Sequence, residues 1–278
     1  MFDDRHATAP NLVAMAGGVQ YAYRRFGGRG GPPLLLLNYF AANLDAWDPK
    51  ITDGFASDRE VILLDGAGIG RSGGETPSTV GAMAEGCCQF CQALGLESLD
   101  IVGFSLGGMI AQQLAFDYPD LVRRVILLGT GPRGGEGMTF TELSTEDLAD
   151  PVKLLKSALF TPSEASQAAA EAYLARLCLR AAELDTPVSM EAAGTQLNAL
   201  RDWGLIPSTD RYAMLARIHQ PTLVVHGSKD IVVPPINSFL LAQNMPNAKL
   251  VMYPDANHGA QSQYAEDFLQ QAQQSLGR

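Results

Sequence analysis

The stretch that most constrains this chain is Asp100-Ile-Val-Gly-Phe-Ser-Leu-Gly-Gly-Met109. A short apolar run stops at Gly103-Phe104-Ser105-Leu106-Gly107 and a helix-like pattern begins at once, so the segment reads strand, abrupt turn, helix. A serine at the apex of so tight a turn needs glycine two positions before and two after it, because larger side chains would collide with the flanks. The strained backbone pushes the hydroxyl up out of the sheet, and the helix N-terminus beneath offers N–H groups to an anion. An ordinary strand–helix turn can carry the same pentapeptide by chance, so the rest of the chain must decide what Ser105 is for.

With 278 residues, 46% of them hydrophobic, the chain can bury a sizeable core, as one large domain or as one domain with a lid. A charged fraction of 18% argues against long disordered tracts. The formal charge of −10 argues against nucleic acid and anionic membrane surfaces as partners, and disfavours a highly anionic substrate. The expected partner is a small molecule. Met-Phe-Asp-Asp-Arg-His at the N-terminus is followed by no apolar run, and no stretch of about eighteen apolar residues occurs, so a soluble cytoplasmic protein is expected. Nothing in the sequence sets an oligomeric state.

Cys88-Gln-Phe-Cys91 formally reads C-x-x-C beside Cys87. These thiols lie in a proline-free stretch, residues 78–94, that reads as one helix. A zinc site would need further ligands at suitable spacing. Core-facing thiols are the expectation, with no metal and no cofactor.

Taken in order, 11–16, Gly17-Gly18 and 19–26 suggest a β-hairpin. Leu34-Leu-Leu-Leu37 is a continuous apolar run bounded by breakers, as in a strand covered on both faces. Val61–Leu64, Ile101-Val102, Val125–Leu128, Thr222–Val225 and Lys249–Met252 repeat it. Helical stretches at 49–57 (Asp48 as N-cap, Pro49 at N1), 78–94 and 107–116 separate them. That alternation predicts an α/β fold: a mostly parallel, doubly wound sheet. The rhythm breaks between Gly131 and Ala213, where helix-entry signals replace apolar β-runs. Residues 132–212 therefore read as an inserted helical cap on a core of 1–131 and 213–278. Residues 260–276 are expected to close the fold as one amphipathic helix.

A serine hydroxyl is a poor nucleophile near neutrality and needs a positioned base, which in turn needs a carboxylate. His6 is expected in a disordered terminus, His219 precedes a strand, and His226 ends one, where a structural role is expected. His258 stands in Asp255-Ala-Asn-His-Gly259, directly after a strand, at the carboxyl edge where open α/β sheets hold their sites. For the acid, Asp230 lies in the loop after the preceding strand. Asp65 competes with it, and Asp255 sits in the histidine's own loop. The order Ser105, Asp230, His258 is the one this architecture uses. Gly68-Ile-Gly70-Arg-Ser-Gly73 matches a dinucleotide fingerprint, but Gly73–Ser78 intervenes before any helix, so the reading fails.

On these residues the chain resembles the α/β-hydrolase family along essentially its whole length. Gly-Phe-Ser105-Leu-Gly-Gly resembles its nucleophile elbow, Gly227-Ser-Lys-Asp230 its acid loop, and Asn257-His258-Gly its histidine loop. Asp65-Gly-Ala-Gly-Ile-Gly70-Arg-Ser72 is similar to the family's Asp-x-x-Gly-x-Gly-x-Ser turn, which makes Asp65 structural. The resemblance implies acyl transfer: His258 takes the Ser105 proton, the serine attacks a carbonyl, and backbone N–H groups of Phe40 and Leu106 hold the oxyanion. Many relatives carry His-Gly where this chain has Asn38-Tyr39 before Phe40, a departure at the loop that supplies one donor. A serine at the elbow also disfavours relatives whose alkyl-enzyme chemistry needs a carboxylate nucleophile. The implied substrate is a small, neutral, moderately apolar ester or lactone. C–C bond hydrolysis, perhydrolysis, a cofactor-free oxygenase and a ligand receptor on the same fold stand as alternatives. Met138, Phe160, Trp203 and Leu205 are the candidates for lining the site from the cap, or else for packing the cap itself.

Overall fold

Strands covered on both faces must be apolar throughout, and the leucine run at 34–37 has that character: all four side chains are buried. A computed structural model describes residues 5–28, 30–141, 150–207 and 210–277. Its strands are β1 (Leu12–Ala16), β2 (Val19–Gly27), β3 (Leu34–Leu37), β4 (Glu60–Leu64), β5 (Leu99–Phe104), β6 (Val122–Leu128), β7 (Thr222–Gly227) and β8 (Ala248–Tyr253). They form one sheet in the order β1-β2-β4-β3-β5-β6-β7-β8, antiparallel at β1·β2 and β2·β4 and parallel elsewhere. The hairpin forms as expected, with Gly17 and Gly18 at φ of 55° and 81°, values a two-residue turn demands and glycine accepts.

Because β3 to β8 run parallel, the loops leaving them all emerge on one edge. The order turns back between β3 and β5, which opens a crevice at their carboxyl ends.

Helices α1 (Pro49–Ala56), α2 (Val80–Ala93) and α3 (Leu106–Asp117) connect the first strands. Asp48 and Thr79 cap α1 and α2 by accepting from the N–H of Lys50 and Ala82. Cys87, Cys88 and Cys91 are buried free thiols on α2, as expected, while Cys178 is exposed.

Between β6 and β7 the described residues contain helices and no strand: α4 (Pro151–Leu159), α5 (Glu164–Leu177) and α6 (Met190–Gly204). Positions 142–149 and 208–209 of the expected cap lie outside the described residues. Tyr173 and Ala170 of α5 pack into the apolar cluster that holds Phe104, and Leu197, Leu200 and Trp203 of α6 join the one on the other face of the sheet. A buried polar strap anchors the chain between α5 and α6. Arg180 donates to the Ala9 carbonyl at 2.9 Å, Asp185 N–H donates to Asp45 at 2.6 Å, and Arg24 pairs with Asp45 at 2.6 Å.

After β7 follows α7 (Ile236–Asn244). Two expectations change at the chain ends. The closing helix is not one but two, α8 (Ala260–Gln263) and α9 (Ala265–Ser275), parted at Tyr264 with φ −109° and ψ 40°. Tyr264 leaves the helical path because its ring stacks on Tyr253 at 4.7 Å and its hydroxyl donates to the Pro254 carbonyl. His6 is not disordered. It is buried, hydrogen-bonded to Thr52 at 2.9 Å, and burial followed by the nearby Arg24 charge lowers its pKa to about 4, so it sits neutral.

Candidate active site

Ser105 lies at the junction of β5 and α3 with φ 54° and ψ −113°, a left-handed region that a serine occupies only when its surroundings compel it. The compulsion is visible in the flanking contacts. Ser105 N–H donates to the Leu128 carbonyl at 2.8 Å, and the Ser105 carbonyl accepts from Thr130 Oγ1 at 2.8 Å, so the end of β6 and the loop that follows it grip the turn on both sides. A Cβ at Gly103 would run into the Gly107 carbonyl, and one at Gly107 into the Leu37 carbonyl. Glycine at 107 thus lets the first turn of α3 press against the end of β3, bringing Leu106 N–H toward the loop after β3.

Asp230 and His258 meet on the same edge, from the loops after β7 and β8. His258 Nδ1 lies 2.8 Å from Asp230 Oδ2, and Asp230 Oδ1 accepts from the N–H groups of Val232 and Val233 at 2.8 and 2.9 Å. Burial acting alone would raise the Asp230 carboxyl. The His258 charge and hydrogen bonds from both His226 and His258 outweigh it and hold the group well below the usual carboxylate range. An ionised Asp230 obliges His258 to carry its proton on Nδ1, leaving Nε2 free to accept one.

His226, expected to be structural, turns out to be a second partner of the acid: its Nε2 lies 3.1 Å from Asp230 Oδ2 and 3.0 Å from the Val233 carbonyl. Two acceptors around one nitrogen require a proton there. Its four-residue spacing from Asp230 was the available signal, and it is a weak one. Asn257 was also missed. Its Oδ1 accepts from Ile231 N–H at 2.9 Å and its Nδ2 donates to the Ser157 carbonyl at 2.9 Å, fastening the histidine loop to the acid loop and to α4. Asp255 is otherwise engaged, accepting from Thr161 and Ser163. Asp65 is buried beneath the crevice against Asp185, where burial, then the hydrogen bond and repulsion from Asp185, raise it to about 10.

Ser105 and His258 make no hydrogen bond to each other in this structure. Phe104 links them, its ring centroid 5.0 Å from that of His258, and Gly129 leaves the space in which the imidazole sits. Such bonds commonly tighten only when substrate arrives. Tyr39, the departure noted in the sequence, packs with its ring centroid 5.0 Å from that of Phe104. In the same loop, Tyr39 N–H donates to Asn38 Oδ1 and Ala41 N–H to Gln196 Oε1. Among the described residues the Phe40 N–H between them has no acceptor.

A cavity of about 60 Å3 lies beside the elbow, walled by Leu37, Tyr39, Leu64, Met83, Leu106 and Gln196 among others, with no charged side chain in its lining. Of the expected cap contacts, Met138, Phe160 and Trp203 are buried in packing and Leu205 is exposed. None of the four lines this cavity, because α2, α3 and the ends of β3 and β4 with the loops that follow them supply most of its wall, and Gln196 is the one residue of α6 that reaches it.

The sequence matches the family described as alpha/beta hydrolase fold over residues 32–263. An alpha/beta hydrolase fold protein from Chitinophaga pinensis superposes with a TM-score of 0.93 at 38% identity, covering 99% of both chains. A 2-hydroxy-6-oxononadienedioate/2-hydroxy-6-oxononatrienedioate hydrolase of Pseudomonas sp. is 27% identical over 263 residues, 89% of this chain and 85% of that one. A pimeloyl-[acyl-carrier protein] methyl ester esterase of Nitrosomonas europaea is 26% identical over 251 residues, 86% of this chain and 93% of its own. Sheet order, elbow and the extent of these matches agree: the chain is a hydrolase and belongs to the alpha/beta hydrolase fold family.

Proposed function

We propose that the protein is a serine hydrolase acting through an acyl-enzyme on Ser105, with His258 as general base, Asp230 holding the imidazole, and the N–H groups of Phe40 and Leu106 stabilising the oxyanion. The observation that carries this reading is the 2.8 Å contact of His258 Nδ1 with a buried, ionised Asp230, on the sheet edge that also holds the strained Ser105. In the forward step the Ser105 Oγ attacks the carbonyl carbon while its proton passes to His258 Nε2. The tetrahedral oxyanion collapses, and the proton moves from His258 to the leaving oxygen. Water, deprotonated by the same imidazole, then releases the acid and returns the serine. No cofactor enters this sequence. Residues 132–212 act as the cap.

The uncharged lining of the cavity favours a small, neutral, moderately apolar ester or lactone as substrate. The Cys87 thiol in that lining stays neutral, burial pushing it up to about 12. The likeness to a dienedioate hydrolase favours C–C bond cleavage as a second reading, since the same nucleophile and base would serve it. A fluorophosphonate adduct on Ser105, read by intact mass, tests the mechanism. Ser105→Ala is expected to abolish both the adduct and turnover of p-nitrophenyl butyrate, and activity at the wild-type level in that variant overturns the assignment. Turnover of butyrate esters in preference to succinate half-esters is the result expected of an uncharged pocket.

A further inference from the structure

We propose that Gln196 is a positioning residue of the oxyanion loop, so that docking of α6 is a condition of turnover; the inference rests on the hydrolase reading above. The Phe40 N–H belongs to the peptide plane that joins Tyr39 to Phe40, and the planes before and after it are both pinned. On one side Tyr39 N–H donates to Asn38 Oδ1 at 3.0 Å, and Asn38 Nδ2 donates to the Asn43 carbonyl at 2.7 Å, a tie made within the loop. On the other side Ala41 N–H donates to Gln196 Oε1 at 2.8 Å, a tie to a helix 155 positions further along the chain. The Tyr39 carbonyl, in the same plane as the Phe40 N–H and directed oppositely, accepts from Ala42 N–H at 3.4 Å.

Ala41 has φ 55°, a conformation that costs an alanine and that the loop does not hold for nothing. Released from Gln196, Ala41 relaxes toward negative φ and the plane bearing the Phe40 N–H turns with it. Gln196 is suited to the task because it is itself fixed: it is buried on α6, whose Leu197, Leu200 and Trp203 are embedded in the core. Only its carbonyl can accept from an N–H, so this bond also sets which way the amide faces. A group that acts on the oxyanion donor, and not on substrate held in its ground state, alters kcat and leaves KM alone.

The test uses the full chain and p-nitrophenyl butyrate. Gln196→Met keeps length and removes the acceptor, and Gln196→Asn keeps the amide but withdraws it by one methylene. Both are expected to lower kcat about tenfold to a hundredfold, short of the loss from deleting a donor outright, with KM within about twofold of wild type. The inhibition constant of butylboronic acid, whose tetrahedral adduct needs the same donor, rises by the same factor. Ala41→Gly placed in the Gln196→Met background recovers part of kcat, because glycine adopts φ 55° without being held. Folded variants with kcat within twofold of wild type overturn the proposal, as does a rise in KM at unchanged kcat. Wild-type protein that hydrolyses no ester and takes no fluorophosphonate overturns the hydrolase reading itself, and the inference with it.

Discussion

Asp230 sits between two imidazoles, with every lone pair of its carboxylate engaged. Oδ1 takes two backbone N–H groups and Oδ2 takes His258 Nδ1 and His226 Nε2. An amide at this position still accepts through one atom but offers N–H where an acceptor is required, so His258 loses the tautomer that leaves Nε2 free to serve as the proposed base. Asp230→Asn is expected to lower kcat by about 10⁴, the loss known for this substitution in other triads, with the circular dichroism of the fold retained. The depressed carboxyl has a thermodynamic counterpart. A carboxyl whose native pKa lies below its unfolded value adds stability that is fully present above the unfolded value of about 4 and lost as pH falls through the native value. Urea unfolding should therefore find Asp230→Asn less stable than wild type at pH 7, and the gap should narrow in acid.

At the scale of elements, the elbow depends on contacts at both ends of β5. At the carboxyl end, a Cβ on Gly107 would meet the Leu37 carbonyl, so Gly107→Ala must push α3 away from β3 and separate the two proposed oxyanion donors. Ester turnover by that variant is expected to fall at least as far as when one oxyanion donor is lost, about a hundredfold. At the opposite end Asp100 is fully buried and bridges Arg123 at 2.7 Å and Arg59 at 3.1 Å. Asp100→Ala removes both ties and is expected to destabilise the protein in denaturant unfolding by about 1–2 kcal/mol, less than for a wholly buried pair because Arg59 keeps Asp58 at 3.8 Å and Arg123 is partly exposed. Its turnover per folded molecule should not change, because this pairing lies at the end of β5 remote from Ser105. The pair of variants separates what the strand does for the site from what it does for the fold.

Across the whole molecule, the segment between β6 and β7 is joined to the sheet by apolar packing on both faces and by the buried strap at Arg180–Asp185. Asp185 meets Asp65 there, and burial, then their hydrogen bond and mutual repulsion, raise Asp65 to about 10. The sign is opposite to that of Asp230. A carboxyl raised in the native state gives its full contribution below the unfolded value of about 4 and loses it steadily as pH climbs toward 10. Asp65→Asn supplies the donor without a proton to lose, so its thermal midpoint should exceed that of wild type at pH 8 by more than at pH 5.

Much of this architecture is legible in the residues alone. The two-faced apolar runs become parallel strands, and Gly-x-Ser-x-Gly becomes the elbow, because burial and turn sterics act over a few neighbouring positions. Parallel strands then oblige the loops carrying Ser105, Asp230 and His258 to share one edge, so order and spacing along the chain were enough to nominate them. His226 on the acid, Gln196 on Ala41, Asn257 between two loops, and a cavity walled by α2 in place of the expected cap side chains were not legible. Each joins groups brought near only by packing, and a hydrogen bond of 3 Å leaves no periodicity or local propensity by which a sequence could announce it. The sequence by itself determined the sheet, its elbow and which loops share its edge; the tertiary structure decided which distant side chains hold that edge in shape, since only folding sets the distances on which those bonds depend.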